Sequence, residues 1–184
     1  MKNFIVLLVF VICMISCNNN TLPKPKPFLK LNYPEVIYAE IDSNCPYFFE
    51  TSSLTEIDVK SNCWAILKYP KLKASIHITY RTVENNLTEI LKEVEKLTFE
   101  HAIKADAIPD ALPYENFEKR VFAKLYNVEG NVASNLQFVA TDSLNHVLAG
   151  SLYFYVKPNY DSIKPAIKYI EKDLVHLVET LEWK

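Results

Sequence analysis

Apolar residues recur at intervals of three and four positions in two long segments of the chain. The first segment reads "NNLTEILKEVEKLTFEHAIKADAI" (residues 85–108), and the second reads "NYDSIKPAIKYIEKDLVHLVETLEWK" (residues 159–184). This spacing places the apolar side chains on one face of a helix, so the pattern predicts two long amphipathic helices. The first stripe comprises Leu87, Ile90, Leu91, Val94, Leu97, His101, Ala102 and Ala105, and the second Ile163, Ala166, Ile167, Ile170, Leu174, Leu177 and Leu181.

The flanking residues predict where the two helices begin and end. Asn86 precedes the first stripe and can cap that helix, while Pro109 marks its end because proline cannot continue the hydrogen-bonding pattern. Asp161 or Ser162 would cap the second helix. Pro165 would then lie in the first turn, where its missing N–H is tolerated.

Elsewhere the apolar period changes to two, which is typical of strands. In "KASIHITYR" (residues 73–81), apolar and polar positions alternate. The segments "KRVFAKLYNV", "SNLQFVATD" and "HVLAGSLYFYVKP" follow the first helix and are joined by short turns at "EGN" and "DSLN", so they predict an antiparallel meander. "FLKLNYP", "YFFETS" and "CWAILKYP" add further strands upstream.

These elements predict an α+β domain, in which a mainly antiparallel sheet is packed with the two long amphipathic helices. The order of strands and helices is similar to that of the PsbP-like α/β/α sandwich. That resemblance implies one helix layer on each face of the sheet.

The N-terminus has the layout of an export signal. Lys2 precedes an uncharged apolar run over residues 4–16, which is shorter than the roughly 20 residues that a membrane-spanning helix needs. Ser16 lies directly before Cys17, and this arrangement resembles the lipobox of bacterial lipoproteins, in which the signal is cut before a cysteine that then carries acyl chains. We therefore predict lipidation at Cys17, with an uncleaved anchor or ordinary secretion as the alternatives.

This interpretation divides the chain into three parts. Residues 1–16 are the predicted signal peptide, residues 17–27 a lipidated N-terminus with a tether rich in proline and lysine, and residues 28–184 a single α+β domain. Proline fixes the backbone in extended conformations and removes hydrogen-bond donors, so the tether is expected to be an extended, solvated spacer.

Cysteine usage agrees with an exported chain. Cys13 would leave with the signal and Cys17 would be acylated, so the mature domain keeps Cys45 and Cys63. A pair of cysteines in an oxidising compartment predicts one disulfide. Two unpaired buried thiols are the alternative, and neither residue belongs to a CxxC motif that would indicate redox chemistry or zinc.

Composition and motifs argue against several functional classes. The formal net charge is −2, which gives no electrostatic footprint for nucleic acid. The two glycines in the sequence exclude the glycine-rich loops that bind nucleotides. The four histidines show no metal-ligand spacing, and no HExxH or GxSxG motif occurs. We therefore expect no catalytic residues, no metal and no cofactor.

The end of the first helical segment, "HAIKADAI", is the candidate for partner docking. His101 falls on the apolar stripe, and Lys104 and Asp106 flank small residues that would let another backbone approach closely. The structural alternative is that His101 hydrogen-bonds into the sheet while the alanines fit a tight helix–sheet contact.

Several longer segments together resemble one protein family. "CPYFFE", "CWAILKYPKLKASIHITY", "HAIKADAI", "GNVASNLQFVATDS", "GSLYFYVKPNYDSIKP" and "HLVETLEWK" look like the gliding motility lipoprotein GldD of Bacteroidota, in order over essentially the whole chain. The resemblance implies a non-enzymatic envelope lipoprotein required for gliding and tied to type IX secretion. Its partners would be other gliding-motility lipoproteins and the motor and secretion components. The only site residue that carries over is the lipidated Cys17.

The resemblance also implies a location in the cell envelope, held to a membrane through the lipid anchor. Sorting to the outer membrane is the expectation, and the absence of acidic residues directly after Cys17 favours a domain that faces the periplasm.

A periplasmic ligand-binding or hydrolytic module is the alternative function. It would need a concave pocket lined by converging polar groups. His77 and Arg81, with Tyr80 beside them, are the residues from which such a pocket would be built.

Overall fold

A computed structural model describes residues 33–41, 43–101, 105–156 and 159–184. In chain order the strands are β1 (Tyr38–Glu40), β2 (Tyr47–Phe48), β3 (Glu50–Ser52), β4 (Glu56–Val59), β5 (Ala65–Tyr69), β6 (Ala74–Thr82), β7 (Leu112–Asn116), β8 (Val121–Asn127), β9 (Leu136–Thr141), β10 (His146–Phe154) and β11 (Glu182–Trp183). The helices are α1 (Leu87–His101), α2 (Tyr160–Thr180) and a 3₁₀ turn at Pro70–Leu72.

Seven strands form one antiparallel sheet in the order β4-β5-β6-β10-β9-β8-β7. The consecutive strands β8, β9 and β10 make the predicted meander, and β10 then pairs with β6, which lies on the other side of α1 in the sequence. Two small antiparallel ribbons, β1-β3 and β2-β11, stand beside this sheet.

The two faces of the sheet carry different layers. Alternate side chains of β5, β6, β8, β9 and β10 pack with the apolar face of α2 and with Tyr47 and Phe49 in the larger core. The opposite face holds a smaller cluster around Ile90 of α1, with Tyr126, Val139 and Val147 from the sheet. The domain is therefore α+β with a helix on each face of an antiparallel sheet, and the predicted fold class is confirmed.

The first helix differs from the prediction at both ends. The Asn86 side chain does not cap α1, because its Oδ1 accepts a hydrogen bond from the backbone N–H of Glu84 at 2.9 Å. Ala105, predicted on the stripe, lies beyond the helix, and Ala107 pairs with Glu129 in an isolated β-bridge. Leu97, also predicted on the buried stripe, is 49% exposed. At Ala107, pairing with the connection between β8 and β9 takes the place of the helical turn that the apolar period predicted.

The second helix begins earlier than predicted and is capped from a distant segment. α2 starts at Tyr160, so Pro165 lies beyond the first turn rather than inside it. Asn159 makes no side-chain cap, and the N–H of Tyr160 instead donates to Oδ1 of Asn131 at 2.8 Å. Asn131 belongs to the predicted "EGN" turn, so a hairpin turn supplies the cap that sequence assigned to Asp161 or Ser162.

Gly150 is required where β10 passes under an aromatic ring. A Cβ atom at this position would collide with the ring of Phe138, which lies opposite Gly150 in the β9–β10 register. Gly150→Ala is therefore expected to lower the free energy of unfolding by about 1–3 kcal/mol through overpacking. Urea unfolding measures this loss. Gly150→Ala combined with Phe138→Leu should recover part of it, and a double variant no more stable than Gly150→Ala would contradict the collision as the cause.

Candidate functional site

Part of the predicted docking face lies outside the described residues. That part comprises Lys104 and the His101 side chain, and the predicted lipidation site Cys17 also lies outside the described residues. Asp106 is exposed, and its backbone N–H donates to the carbonyl of Glu129 at 2.9 Å. Gly130 lies against Asp106 and has a positive φ. A Cβ atom at Gly130 would collide with the Asp106 backbone nitrogen. The segment after α1 is therefore joined to the β8–β9 connection, and its docking role stays a prediction.

The predicted disulfide is present. Cys45 and Cys63 are bonded with their Cα atoms 5.5 Å apart. Their link joins the segment before β2 to the turn before β5, and the Tyr47 hydroxyl donates to the Cys63 carbonyl at 2.7 Å. Burial and the nearby Tyr80 raise the pKa of Tyr47 to about 12, so this phenol stays a donor at physiological pH.

An apolar groove runs along one side of α1. Leu91 forms its helix wall, and Phe122, Tyr126 and Val139 from β8 and β9 lie beneath it, around a cavity of about 240 Å³. α1 contacts β9 and β10, so the outer strands β7 and β8 extend beyond the helix and leave this space. We call this surface, with these four residues, the apolar groove.

Charged residues surround the apolar groove. Glu95 of α1 and Glu115 of β7 lie on its lining with Lys124 of β8. Burial raises the pKa of Tyr126, and the neighbouring Glu95 carboxylate raises it further. An apolar floor with two carboxylates and one lysine at its margin suits a partner that inserts an apolar side chain next to basic ones.

A polar surface occupies the other side of α1. Strand register places His77 of β6 opposite Ser151 of β10, and Ser151 opposite Gln137 of β9, while Ser75 lies opposite Tyr153. All five side chains project from the face that carries α1, because successive residues of a strand alternate between faces. We call Ser75, His77, Gln137, Ser151 and Tyr153 the polar strip.

The polar strip contains a hydrogen-bonded Ser–His pair that is unsuited to hydrolysis. His77 Nε2 lies 3.0 Å from Ser75 Oγ, which also bonds the Tyr155 hydroxyl at 2.7 Å. Ser75 is 0% exposed, so no substrate reaches its hydroxyl. Within the described ranges no carboxylate contacts His77 to orient it, as a nucleophile–base–acid arrangement requires.

The remaining residues of the predicted pocket do not join His77. Arg81 forms an ion pair with Glu93 of α1 at 2.6 Å. Tyr80 is on the opposite face of the sheet, where its hydroxyl bonds His146 Nδ1 at 2.8 Å. The expectation that His77, Arg81 and Tyr80 converge was therefore wrong, since the strand's period of two turns Tyr80 toward the larger core.

A buried carboxylate lies on the α2 side of the domain. Asp173 is 4% exposed and accepts hydrogen bonds from the Tyr38 hydroxyl at 3.0 Å and the Tyr69 hydroxyl at 3.1 Å. Burial raises the pKa of Asp173, and the two tyrosine bonds oppose that rise. The ring of Tyr38 stacks on His176, which pairs with Glu50 at 2.7 Å. These contacts fasten the β1-β3 ribbon to α2.

Sequence reasoning missed Asp173 as a residue of interest. The polar run Ser134, Asn135 and Gln137 suggests either a recognition edge or, as the leading interpretation, an ordinary strand after a hairpin, whereas Asp173 lies beside the apolar stripe of α2 with no sign that it is buried. The available signal was the position of Asp173 one helical turn from Ile170 and Leu177, which places it at the edge of the buried face of α2.

The part of the chain that the structure describes contains no group of three or more His, Cys, Asp or Glu residues that could hold a metal ion. Among the described helices, none combines the length and apolar character needed to cross a membrane.

Comparisons with known proteins agree with the fold and add a family. The sequence model of the family described as "Gliding motility lipoprotein GldD" matches residues 18–183. No curated protein matches the sequence. The solution structure of cyanobacterial PsbP (CyanoP) from Synechocystis sp. PCC 6803 is similar, with a TM-score of 0.51 and 8% identity over 80% of this chain and 92% of that chain. At that identity the likeness concerns the fold alone, and it confirms the expected PsbP-like sandwich.

Proposed function

The chain belongs to the gliding motility lipoprotein GldD family, and from this premise we propose that it is a non-enzymatic component or stabiliser of the motility and type IX secretion machinery. As a lipoprotein of this family it is held in the cell envelope by lipid. Its proposed partners are other gliding-motility lipoproteins and the motor and secretion components. The observation that carries the proposal is the family match, which includes tether residues together with nearly all of the described domain.

The proposal is tested by deleting the gene in its own host and complementing with wild type or Cys17→Ala. We expect deletion to abolish colony spreading and to reduce the large adhesin that reaches the medium and cell surface. Cys17→Ala should appear in the soluble fraction and fail to restore either readout, because stable anchoring requires several acyl chains on that residue. Normal spreading and adhesin export in the deletion strain would reject the proposed function.

The apolar groove is the proposed docking surface for a protein partner. Its apolar lining and the Glu95 and Glu115 carboxylates favour an apolar side chain flanked by lysine or arginine. Charge reversal at both positions, Glu95→Lys with Glu115→Lys, is expected to weaken partner co-purification about tenfold or more while leaving the domain folded, since both residues are exposed.

Glu56→Lys is the matched control for this charge reversal. Glu56 is an exposed glutamate on the edge strand β4, at the far side of the sheet from β7. We expect it to leave co-purification unchanged. Equal loss of the partner in the control and the groove variant would point to bulk charge rather than the apolar groove.

The proposed location is the outer membrane, with the domain facing the periplasm. The support is the run of uncharged residues directly after Cys17. Protease added to intact cells should leave the protein uncut, and protease added after the outer membrane is permeabilised should digest it. Digestion on intact cells would place the domain at the surface instead.

Ligand binding without hydrolysis is the second candidate function. The observation that favours it is the polar strip itself, in which His77 is exposed and Ser151 and Tyr153 are half-buried. The hydrolytic form is not favoured, because Ser75 is fully buried.

A further inference from the structure

The segment that leads from Cys17 joins the described domain at one end of the large sheet. Tyr33 stacks on Tyr169 of α2 with ring centroids 4.4 Å apart, and the Tyr169 hydroxyl donates to the Pro34 carbonyl at 3.1 Å. Tyr33 and Pro34 also line a cavity of about 40 Å³ together with Leu72, which lies in the turn between β5 and β6. The chain therefore enters beside this turn, and we call this side of the molecule the tether end.

Large apolar side chains are exposed at the tether end. Ile37 is 72% exposed, and its carbonyl accepts a hydrogen bond from the Ser53 N–H in the turn after β3. Tyr155 and Val156 follow β10 and are 64% and 39% exposed. The Tyr155 N–H donates to the Lys73 carbonyl at 2.7 Å, so these residues adjoin the β5–β6 turn. The tether-end patch is defined as Ile37, Lys71, Lys73, Tyr155 and Val156.

The point where the chain enters distinguishes this patch from a second exposed apolar group at the opposite end of the sheet. Phe117 and Leu144 lie there, in the turns before β8 and β10. The nine residues of β6 separate the two ends by about 30 Å. A membrane that holds Cys17 meets the tether end directly, whereas the opposite end meets it only if the tether runs back along the sheet. The shorter path gives the tether-end patch the higher effective concentration at the lipid surface.

The charges around the tether-end patch suit phospholipid headgroups. Lys71 and Lys73 are exposed, and neither forms a salt bridge with another described residue. Glu35 and Glu56 lie on the same side, and Lys68 faces Glu56 in the β4–β5 register, so the lysines outnumber the glutamates. A group of acidic residues lies further along this end, beside β7 and β8, and comprises Asp106, Asp110 and Glu129. Lysines beside exposed apolar and aromatic side chains are typical of surfaces that rest on a bilayer.

We propose that the tether-end patch rests on the phospholipid surface that holds the acyl chains of Cys17. Ile37, Tyr155 and Val156 lie among the headgroups, and the two lysines of the patch lie beside lipid phosphates. This inference rests on the lipid anchor of the proposed function. It makes the strands of the large sheet stand away from the membrane, so that the turns before β8 and β10 are held about 30 Å from the surface, where envelope partners reach them.

Fluorescence quenching of the lipidated protein tests this orientation in vesicles of phosphatidylethanolamine and phosphatidylglycerol that include a lipid with a nitroxide on its headgroup. A fluorophore is attached to Ser53→Cys, beside Ile37, or to Glu118→Cys, in the β7–β8 turn at the opposite end; both positions are exposed. An introduced cysteine is the free thiol, because Cys45 and Cys63 are bonded and Cys17 is acylated in the anchored form.

We expect several-fold stronger quenching at Ser53→Cys than at Glu118→Cys, since about 30 Å separates the two ends of the sheet. Equal quenching at the two positions, or stronger quenching at Glu118→Cys, overturns the proposal.

Substitutions in the patch identify the side chains responsible. Ile37→Glu with Tyr155→Glu should remove most of the difference in quenching, because charged side chains leave the headgroup region. Phe117→Glu with Leu144→Glu is the matched control at the opposite end and should leave the difference unchanged. Ile37→Glu alone, at a 72% exposed position, keeps the test decisive if the double variant does not fold.

Two further outcomes also overturn the proposal. One is an equal effect of the patch and control variants on quenching, which would reflect added negative charge alone. The other is a patch that binds a protein instead: the two labels would then be quenched equally in vesicles, while the patch variant would still lose its co-purified partner. The vesicles contain no other envelope component, so these results are distinct from failure of the proposed function, which the deletion strain reports.

Discussion

Removing the Cys45–Cys63 disulfide is expected to lower the free energy of unfolding by about 3 kcal/mol. The bond spans a sequence separation of 18 residues, and opening it restores conformational freedom to the unfolded chain. The loss also frees the Cys63 backbone, which has a positive φ of 61° and accepts the Tyr47 hydroxyl. Tyr47 is fully buried, so its hydroxyl would lose a fixed acceptor.

The measurement is guanidinium unfolding of wild type and of Cys45→Ser, Cys63→Ser and the double variant, with and without reductant. All three variants should lose about the same free energy, because the first substitution already removes the bond. Reductant should bring wild type to the same value and leave the double variant unchanged. A double variant that loses twice as much as either single variant would show that the sulfur atoms stabilise the fold separately.

Asp173→Ala is expected to destabilise the domain by about 3 kcal/mol, since it leaves the buried Tyr69 hydroxyl and the Tyr38 hydroxyl without their acceptor. Asp173→Asn is the matched control. Its amide accepts from one tyrosine and donates to the other, so we expect a loss of only about 1 kcal/mol. Hydrogen exchange should rise in β1 and β3 of the alanine variant, because Tyr38 holds that ribbon to α2.

The same carboxyl predicts how stability depends on pH. Burial raises the folded-state pKa of Asp173 above its ordinary value of 3.8, so the folded protein binds this proton more tightly than the unfolded chain. The stabilisation from protonation is therefore complete below about pH 3.8 and is lost as pH rises through the folded pKa. The free energy of unfolding of wild type should rise relative to that of Asp173→Asn on acidification through this window. A constant difference between the two would contradict the shift.

The sequence predicted much of the fold because its signals are local. The stripes of α1 and α2 and the period of two in β6, β8, β9 and β10 are read over roughly ten to twenty neighbouring residues. Each element formed within the segment that its period marked, although α1 ends at His101 rather than just before Pro109. The four cysteines and the apolar N-terminus likewise led to the disulfide between Cys45 and Cys63. The strands β1, β4, β7 and β11 were not predicted, because each is short and is stabilised by pairing with another strand.

The candidate sites depended on contacts between distant parts of the chain. The sequence by itself determined the α+β class, the family resemblance and which side of β6 carries His77. Tertiary structure alone decided that Gln137, Ser151 and His77 share one row, that α1 leaves a groove over β8, and that Tyr38 reaches Asp173 across 135 positions. The physical reason is that strand pairing and burial bring together residues far apart in the sequence, and the local pattern around one such residue carries no information about the other. Periodicity therefore predicts which face of a helix or strand a residue occupies, whereas packing decides which residues meet on that face.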